Sequence, residues 1–186
     1  MAQGKTISSD SAIGTGSIRR QLQIKAKYGC KCKDIRGNVP TRLKKLDDGE
    51  YDGIILARAG LDRLDMIDID KYNYEFFETL DFVPAPCQGI IAVENRADDE
   101  YIRDVLKAIN HMETYVCFVA ERAFLKAMDS GCQTPLGAIS EIGENNLKME
   151  CFYYKDRIVK MSIEGENPVL TAAVLAKKLK EVTNEG

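Results

Sequence analysis

Two groups of residues in this chain have the chemistry to hold a ligand. The first is a thiol, Cys132, in the hexapeptide Ser130-Gly131-Cys132-Gln133-Thr134-Pro135. An amphipathic stretch from Met112 to Met128 runs into it. Gly131 can take a positive φ just past a helix end, and Pro135 keeps the helix from resuming. This predicts Cys132 in a loop close to solvent, where a thiol can be reached. From the hexapeptide alone the plainer reading, a small hydrophobe at a tight turn, is the better supported one. The second group is basic. Between Ser17 and Lys45 stand ten Lys and Arg side chains and a single acid, Asp34, in a chain whose net charge is −3. A local positive field on an acidic protein suits an anionic ligand at one place. A solvated helix face accounts well for the lysines of this segment. It accounts less well for Arg19, Arg20, Arg36 and Arg42, which sit beside Gly, Asn and Ser in turn-like contexts. Arginine stays charged and grips a carboxylate through two parallel N–H bonds.

The elements that would position these groups follow from periodicity. Ala12 to Gly14 reads as a short strand, and Gly14-Thr15-Gly16-Ser17 opens a helix through Tyr28 with Ile18, Leu22 and Ala26 on one face. Such a loop presents backbone N–H groups and the positive end of the helix dipole to an anion. It has neither the Walker spacing nor G-x-G-x-x-G. Lys31 to Ile35 reads as a second strand, followed by a turn at Gly37-Asn38 and a helix entered at Pro40 and running to Asp47. Gly53 to Ala57 is a continuous apolar run, as in a buried parallel strand, and Arg58-Ala59-Gly60-Leu61 begins a third junction. Three strand–loop–helix units imply a parallel sheet with every arginine-bearing loop at the carboxyl ends of the strands, where such sheets bind ligands.

Beyond this, Phe76 to Val83 reads as a strand with an irregular crossing, Pro84 to Gly89 as a linker or hinge, and Ile90 to Glu94 as a strand. Asp98 to Ile109 is an amphipathic helix. After the helix that leads to Cys132, Leu136–Ile142, Leu147–Tyr154 and Arg157–Glu164 read as three strands, and Pro168 to Val182 as a closing helix. The fold class expected is α/β: a parallel-type α/β domain, periplasmic-binding-protein-like, then a small α+β domain with a three-stranded antiparallel sheet. Met1 to Ser11 is polar and reads as a frayed tail. The amino terminus has no apolar leader and no run approaches the ~18 residues of a membrane span, so a cytoplasmic protein with reduced thiols is expected and no membrane partner. Cys30 and Cys32 form C-x-C, but His111 is the only histidine and no second cysteine pair has ligand spacing, so no zinc site is expected.

Several segments together resemble porphobilinogen deaminase, the hydroxymethylbilane synthase family. They are Ile13-Gly14-Thr15-Gly16-Ser17-Ile18-Arg19-Arg20-Gln21, Arg36-Gly37-Asn38-Val39-Pro40-Thr41-Arg42-Leu43, and Ile54-Ile55-Leu56-Ala57-Arg58-Ala59-Gly60-Leu61. Asn110-His111-Met112-Glu113-Thr114, Ala120-Glu121-Arg122-Ala123 and Gly131-Cys132-Gln133-Thr134-Pro135 continue the match in family order. The resemblance implies that Cys132 carries a dipyrromethane cofactor through a thioether. That cofactor primes the joining of four porphobilinogen units, with loss of ammonia, in tetrapyrrole (haem) biosynthesis. Each ring carries two carboxylates. By resemblance Thr15, Ser17, Arg19, Arg20, Arg36, Asn38, Arg42 and Arg63 line the cofactor cleft, and Ala57 and Gln88 contact it. His111 reads as structural.

The chain departs from the family pattern in three ways. Gly16 stands where the family usually has Ser, removing a hydroxyl from the cradle. Cys87-Gln88-Gly89 stands where Gly-Gln-Gly is usual. The family's first domain, which supplies the catalytic aspartate, lies N-terminal to the Gly-Thr-x-Ser stretch, and only a dozen residues precede Ile13 here. The resemblance therefore divides the chain into an N-terminal tail (1–12), an α/β domain with the cofactor cleft (13–87), a return segment that would pack on the missing domain (88–110) and a C-terminal domain carrying the cysteine (111–186). No catalytic residue is assigned in the chain, which is expected to be inactive alone and prone to self-association. The competing reading is a non-enzymatic α/β module that binds small carboxylates. A nucleic-acid site in the basic segment is disfavoured, with only Tyr28 there to stack on bases.

Overall fold

The computed structural model describes residues 1–79, 81–129 and 135–184. The chain forms two compact units, Met1–Phe82 and Val83–Gly186.

The first unit begins with β1 (Ala12–Gly14), α1 (Ile18–Tyr28) and β2 (Lys31–Lys33). It continues with α2 (Val39–Asp47), β3 (Gly53–Ile54) and α3 (Arg58–Arg63). The strands form a parallel sheet in the order β2-β1-β3, with Ile13 opposite both Cys32 and Gly53. Side chains alternate across a sheet, and here the consecutive residues Ile54 and Ile55 go to different apolar clusters. Ile55 joins Ile13, Ile24, Cys30 and Phe82 under α1. Ile54 packs with Ile35, Leu43, Leu46, Tyr51 and Leu61 under α2 and α3. Burying Ile13, Ile24 and Ile35 at 2 % exposure or less is worth about 1.5–3 kcal/mol each, which holds the short strands together.

The second unit contains α4 (Glu100–Ile109), α5 (Met112–Ala127), β4 (Leu136–Ile142), β5 (Leu147–Tyr154), β6 (Ile158–Gly165) and α6 (Pro168–Asn184). The strands pair antiparallel in the order β4-β5-β6, with Ala138 opposite Cys151 and Cys151 opposite Met161. α5 and α6 pack together against this sheet around Phe124, Ala138, Met149, Leu175 and Leu179, each 0 % exposed. Lys180 donates its ammonium to the Ala127 carbonyl at 2.8 Å, satisfying one of the last carbonyls of α5. α4 has no buried residue. Among the described residues no helix is long and apolar enough to cross a membrane.

Three expectations differ from the structure. The amino-terminal residues are not frayed: the Met1 ammonium donates to the Asn73 carbonyl at 2.7 Å, Ala2 bridges to Tyr72, and Lys5 pairs with Asp52. Ile90 to Glu94 is not a strand; among the described residues nothing pairs with it, and Ile91 and Val93 are 75 % and 59 % exposed. A short apolar run makes a strand only where another strand offers its edge. The described residues from Phe76 to Val83 form no strand either; Phe77 and Phe82 stack at 4.7 Å between ring centroids instead. Asp129, just after α5, is left-handed at φ 50°. The Gly131 expected in that role lies outside the described residues, as does Cys132.

Candidate functional site

The parallel sheet of the first unit places three loops at the carboxyl ends of its strands. The β1–α1 loop is the most enclosed. Thr15 is 1 % exposed, and its amide donates to the Lys33 carbonyl at 3.0 Å, tying the loop to β2. Its hydroxyl accepts from the Ser17 amide at 3.3 Å, and its carbonyl accepts from the Gln21 side chain at 3.0 Å. Ser17 caps α1, its hydroxyl taking the Arg20 amide at 3.4 Å. Thr15 and Ser17 are thus used within the loop, and they fix its course.

Arg19 and Arg20 occupy the first turn of α1. Arg19 is 6 % exposed, an unusual burial for a guanidinium. Burial, and then the like charge of Arg20, pushes it down to about 10. Arg20 is lowered by burial and then by the charge of Arg42, and its guanidinium donates to the Ile55 carbonyl at 3.3 Å. Arg42 reaches from α2 and donates to the Gly37 carbonyl at 2.7 Å. Three cations from two junctions therefore lie close together, the charge of Arg20 felt at Arg19 and that of Arg42 felt at Arg20. Desolvated like charges at a helix N-terminus are a costly arrangement that an anion relieves.

The β2–α2 loop contributes differently. Asn38 caps α2, taking the Thr41 amide at 3.0 Å and its hydroxyl at 2.7 Å. Arg36 is exposed and pairs with Asp34 at 3.0 Å. Gly16 matters here, because a Cβ on it would lie 2.8 Å from Asp34 Oδ1. The missing side chain lets the Asp34 carboxylate approach the β1–α1 loop. At the third junction Ala57 precedes α3 without a side-chain cap, and both Ala57 and Arg63 are exposed. The structure brings Arg19, Arg20 and Arg42 together, ties Thr15 and Ser17 into the same loop, and leaves Arg63 at the surface.

In the second unit Gln88 is exposed, and its amide donates to the Ala85 carbonyl at 3.0 Å. The segment read as a linker is fastened here: the Ala138 amide donates to the Pro84 carbonyl at 3.1 Å, and the Cys87 amide to Glu121. Cys87 has φ 62°, a conformation that favours glycine. His111 caps α5, its Nδ1 accepting from the Thr114 amide at 3.3 Å. Burial is the largest cause raising every described cysteine: Cys30 and Cys117 are pushed up, Cys32 and Cys87 to about 11, and Cys151 to about 12. Sequence reasoning missed Glu121, quoted only as part of a motif, and Tyr51, whose hydroxyl donates to the Asp34 carbonyl at 2.8 Å. Glu121 is a carboxylate inside an apolar helix face, which was a readable signal.

Residues 2–104 match the family model "Porphobilinogen deaminase, dipyromethane cofactor binding domain", and residues 115–183 match "Porphobilinogen deaminase, C-terminal domain". A porphobilinogen deaminase of Coxiella burnetii is 44% identical over 145 residues, 77% of this chain and 46% of that protein. One of Ruminiclostridium cellulolyticum is 38% identical over 185 residues, 96% of this chain and 61% of that protein. A probable porphobilinogen deaminase of Methanocaldococcus jannaschii is 44% identical over 135 residues, 72% of this chain and 45% of that protein. The chain spans about half the length of the curated relatives it matches. It belongs to the porphobilinogen deaminase family.

Proposed function

We propose that this chain is the cofactor-holding portion of a hydroxymethylbilane synthase, with a dipyrromethane joined to Cys132 through a thioether. The observation that carries the reading is the grouping of Arg19, Arg20 and Arg42, buried or half-buried, around the start of α1. When bound, the cofactor supplies a primer on which porphobilinogen units are joined. The protein's own groups do the holding. Arg19, Arg20 and Arg42 pair with acetate and propionate side chains. Arg36 and Arg63, both exposed, extend that set to longer chains. Thr15, Ser17 and Asn38 keep the two loops in register for those contacts, and Ala57 and Gln88 contact the pyrroles. Free thiols at all five described cysteines suit a cytoplasmic setting.

The proton transfers of the whole enzyme call for a general acid/base carboxylate. Asp34 is committed to Arg36 and Glu121 is buried, so neither is assigned that role. The 186-residue chain by itself is expected not to polymerise porphobilinogen. Turnover by the purified chain would refute this. The apolar side chains of Ile91, Val93, Tyr101, Ile102, Val105 and Ile109 are 38 % to 77 % exposed and suit contact with the family's N-terminal domain. Left uncovered, they favour self-association, which sedimentation velocity would detect.

The cofactor assignment is tested by intact mass together with Ehrlich's reagent on the chain as purified and after exposure to porphobilinogen. A dipyrromethane adduct present in the parent and absent in Cys132→Ser is the expected result. An adduct that survives Cys132→Ser would overturn the assignment.

A further inference from the structure

The segment from Pro84 to Gly89, read as a linker or hinge, is held within the second unit by three features: a main-chain hydrogen bond, a glycine that permits the close approach, and a buried carboxylate. The Pro84 carbonyl accepts the Ala138 amide at 3.1 Å. Gly137 lets that approach happen, because a Cβ there would stand 2.7 Å from the Pro84 carbonyl oxygen and 3.1 Å from Val83 Cγ1. Glu121, on α5, supplies the third. It is 4 % exposed, and one carboxylate oxygen takes both the amide and the hydroxyl of Ser140 at 2.9 Å, while the other takes the Cys87 amide at 2.5 Å.

Cys87 makes the third contact more than structural. It adopts φ 62°, where a Cβ crowds the backbone. A non-glycine residue stays in that region only when its surroundings over-determine it. The charge-assisted bond from its amide to a buried carboxylate is such a surrounding. The turn it holds runs from Ala85 to Gln88 and ends at the side chain assigned to the pyrrole ligand.

We propose that Glu121 is a positioning residue: through the Cys87 amide it holds the left-handed turn that presents Gln88 to the ligand. This rests on the cofactor reading above, since it takes Gln88 as a ligand contact. Gly at position 87 would adopt the turn unaided. With Cys there, the turn depends on Glu121.

The test uses the 186-residue chain with amide-resolved hydrogen exchange. Glu121→Asp shortens the side chain by one methylene and withdraws it from Cys87. Exchange at the Cys87 amide is expected to rise at least tenfold, while the amides of Leu175 and Leu179 in the core change by less than threefold. Adding Cys87→Gly to Glu121→Asp should return the Gln88 resonances to the parent positions. An unchanged Cys87 exchange rate, or a Gln88 that the second substitution does not restore, overturns the proposal. If Glu121→Asp does not fold, folding must return in the double variant, and its failure to do so overturns the proposal equally. The ligand half is read by adding a synthetic dipyrromethane bearing acetate and propionate side chains to the parent. Movement of the Gln88 side-chain amide supports the role, and its loss in Glu121→Asp completes it. A parent Gln88 that ignores the dipyrromethane overturns the presenting role and the assignment of Gln88, while leaving the Glu121–Cys87 bond to be judged by exchange alone.

Discussion

Gly14, the last residue of β1, and Gly16, in the β1–α1 loop, lie two residues apart, and the structure assigns them opposite tolerance. A Cβ on Gly14 would stand 2.8 Å from Tyr51 Cδ1 and 3.0 Å from Ile54 Cγ2. Tyr51 is 8 % exposed within the cluster under α2, and its hydroxyl donates to the Asp34 carbonyl at 2.8 Å. The ring cannot withdraw without opening that cluster. Overpacking of this kind costs about 1–3 kcal/mol. Losing the Tyr51 hydrogen bond adds roughly 0.5–1.5 kcal/mol. Gly14→Ala is therefore expected to destabilise the first unit by about 2–4 kcal/mol, a rise of roughly 30-fold to several hundred-fold in the exchange of its protected amides. Gly16→Ser meets Asp34 Oδ1 at 2.8 Å, but that is the tip of an exposed side chain, and the next neighbour, the Ile35 carbonyl, is at 3.3 Å. Asp34 can rotate away, so this substitution should cost less than about 1 kcal/mol, as surface substitutions generally do. It should also release Arg36 from its pairing with Asp34. Exchange measured by mass spectrometry on peptides of the first unit decides this, with peptides of the second unit as the internal reference. If both variants exchange like the parent, or Gly16→Ser is the more disruptive, the reasoning fails.

Three further expectations concern stability. Phe124→Ala empties a fully buried position in the core of the second unit and should cost about 3–5 kcal/mol, read as faster exchange confined to that unit's peptides. Glu121 is raised above its ordinary 4.5, chiefly by burial, so the native state keeps a proton that the unfolded chain releases. Its contribution is most favourable below 4.5 and is lost as pH rises through the raised value; the stability of the parent relative to Glu121→Gln should fall across that window and level off above it. Asp52 lies below its ordinary 3.8, first because it accepts the Ala12 amide and then through Lys5. It therefore favours the fold above 3.8 and loses that effect as pH falls through the lowered value. Being partly exposed it contributes modestly, and the gap in urea midpoint between parent and Asp52→Asn should be small at neutral pH and close in acid.

Much of this architecture was legible from local signals. The loop through Ser17 and the turn at Gly37-Asn38 lead into helices where expected, and Pro40 stands in the first turn of α2. The three antiparallel strands follow their alternation to within a residue or two. The failures share a physical cause, because they depend on what a segment meets. Ile90 to Glu94 has the pattern of a strand and lacks a strand beside it. Met1 to Lys5 has no pattern and is fastened by Asn73, Tyr72 and Asp52 from far along the chain. At the candidate site, composition alone pointed to Arg19 and Arg20. Their closeness to Arg42 could be read only through the parallel order of the sheet. That Asp34 leans over Gly16, and that Glu121 reaches Cys87, depends on side-chain paths that no spacing rule conveys.

The raised thiols have a practical consequence. A chain with six cysteines ordinarily gives a mixture of products when it meets an electrophile. Here five of them stand almost wholly as neutral thiols at physiological pH, and burial is the largest cause in each case. Chemoselectivity is thus established by a quiet background before any recognition takes place. The number of adducts that a mild alkylating agent leaves on the native chain becomes a gauge of folding, each extra adduct marking a unit that has opened.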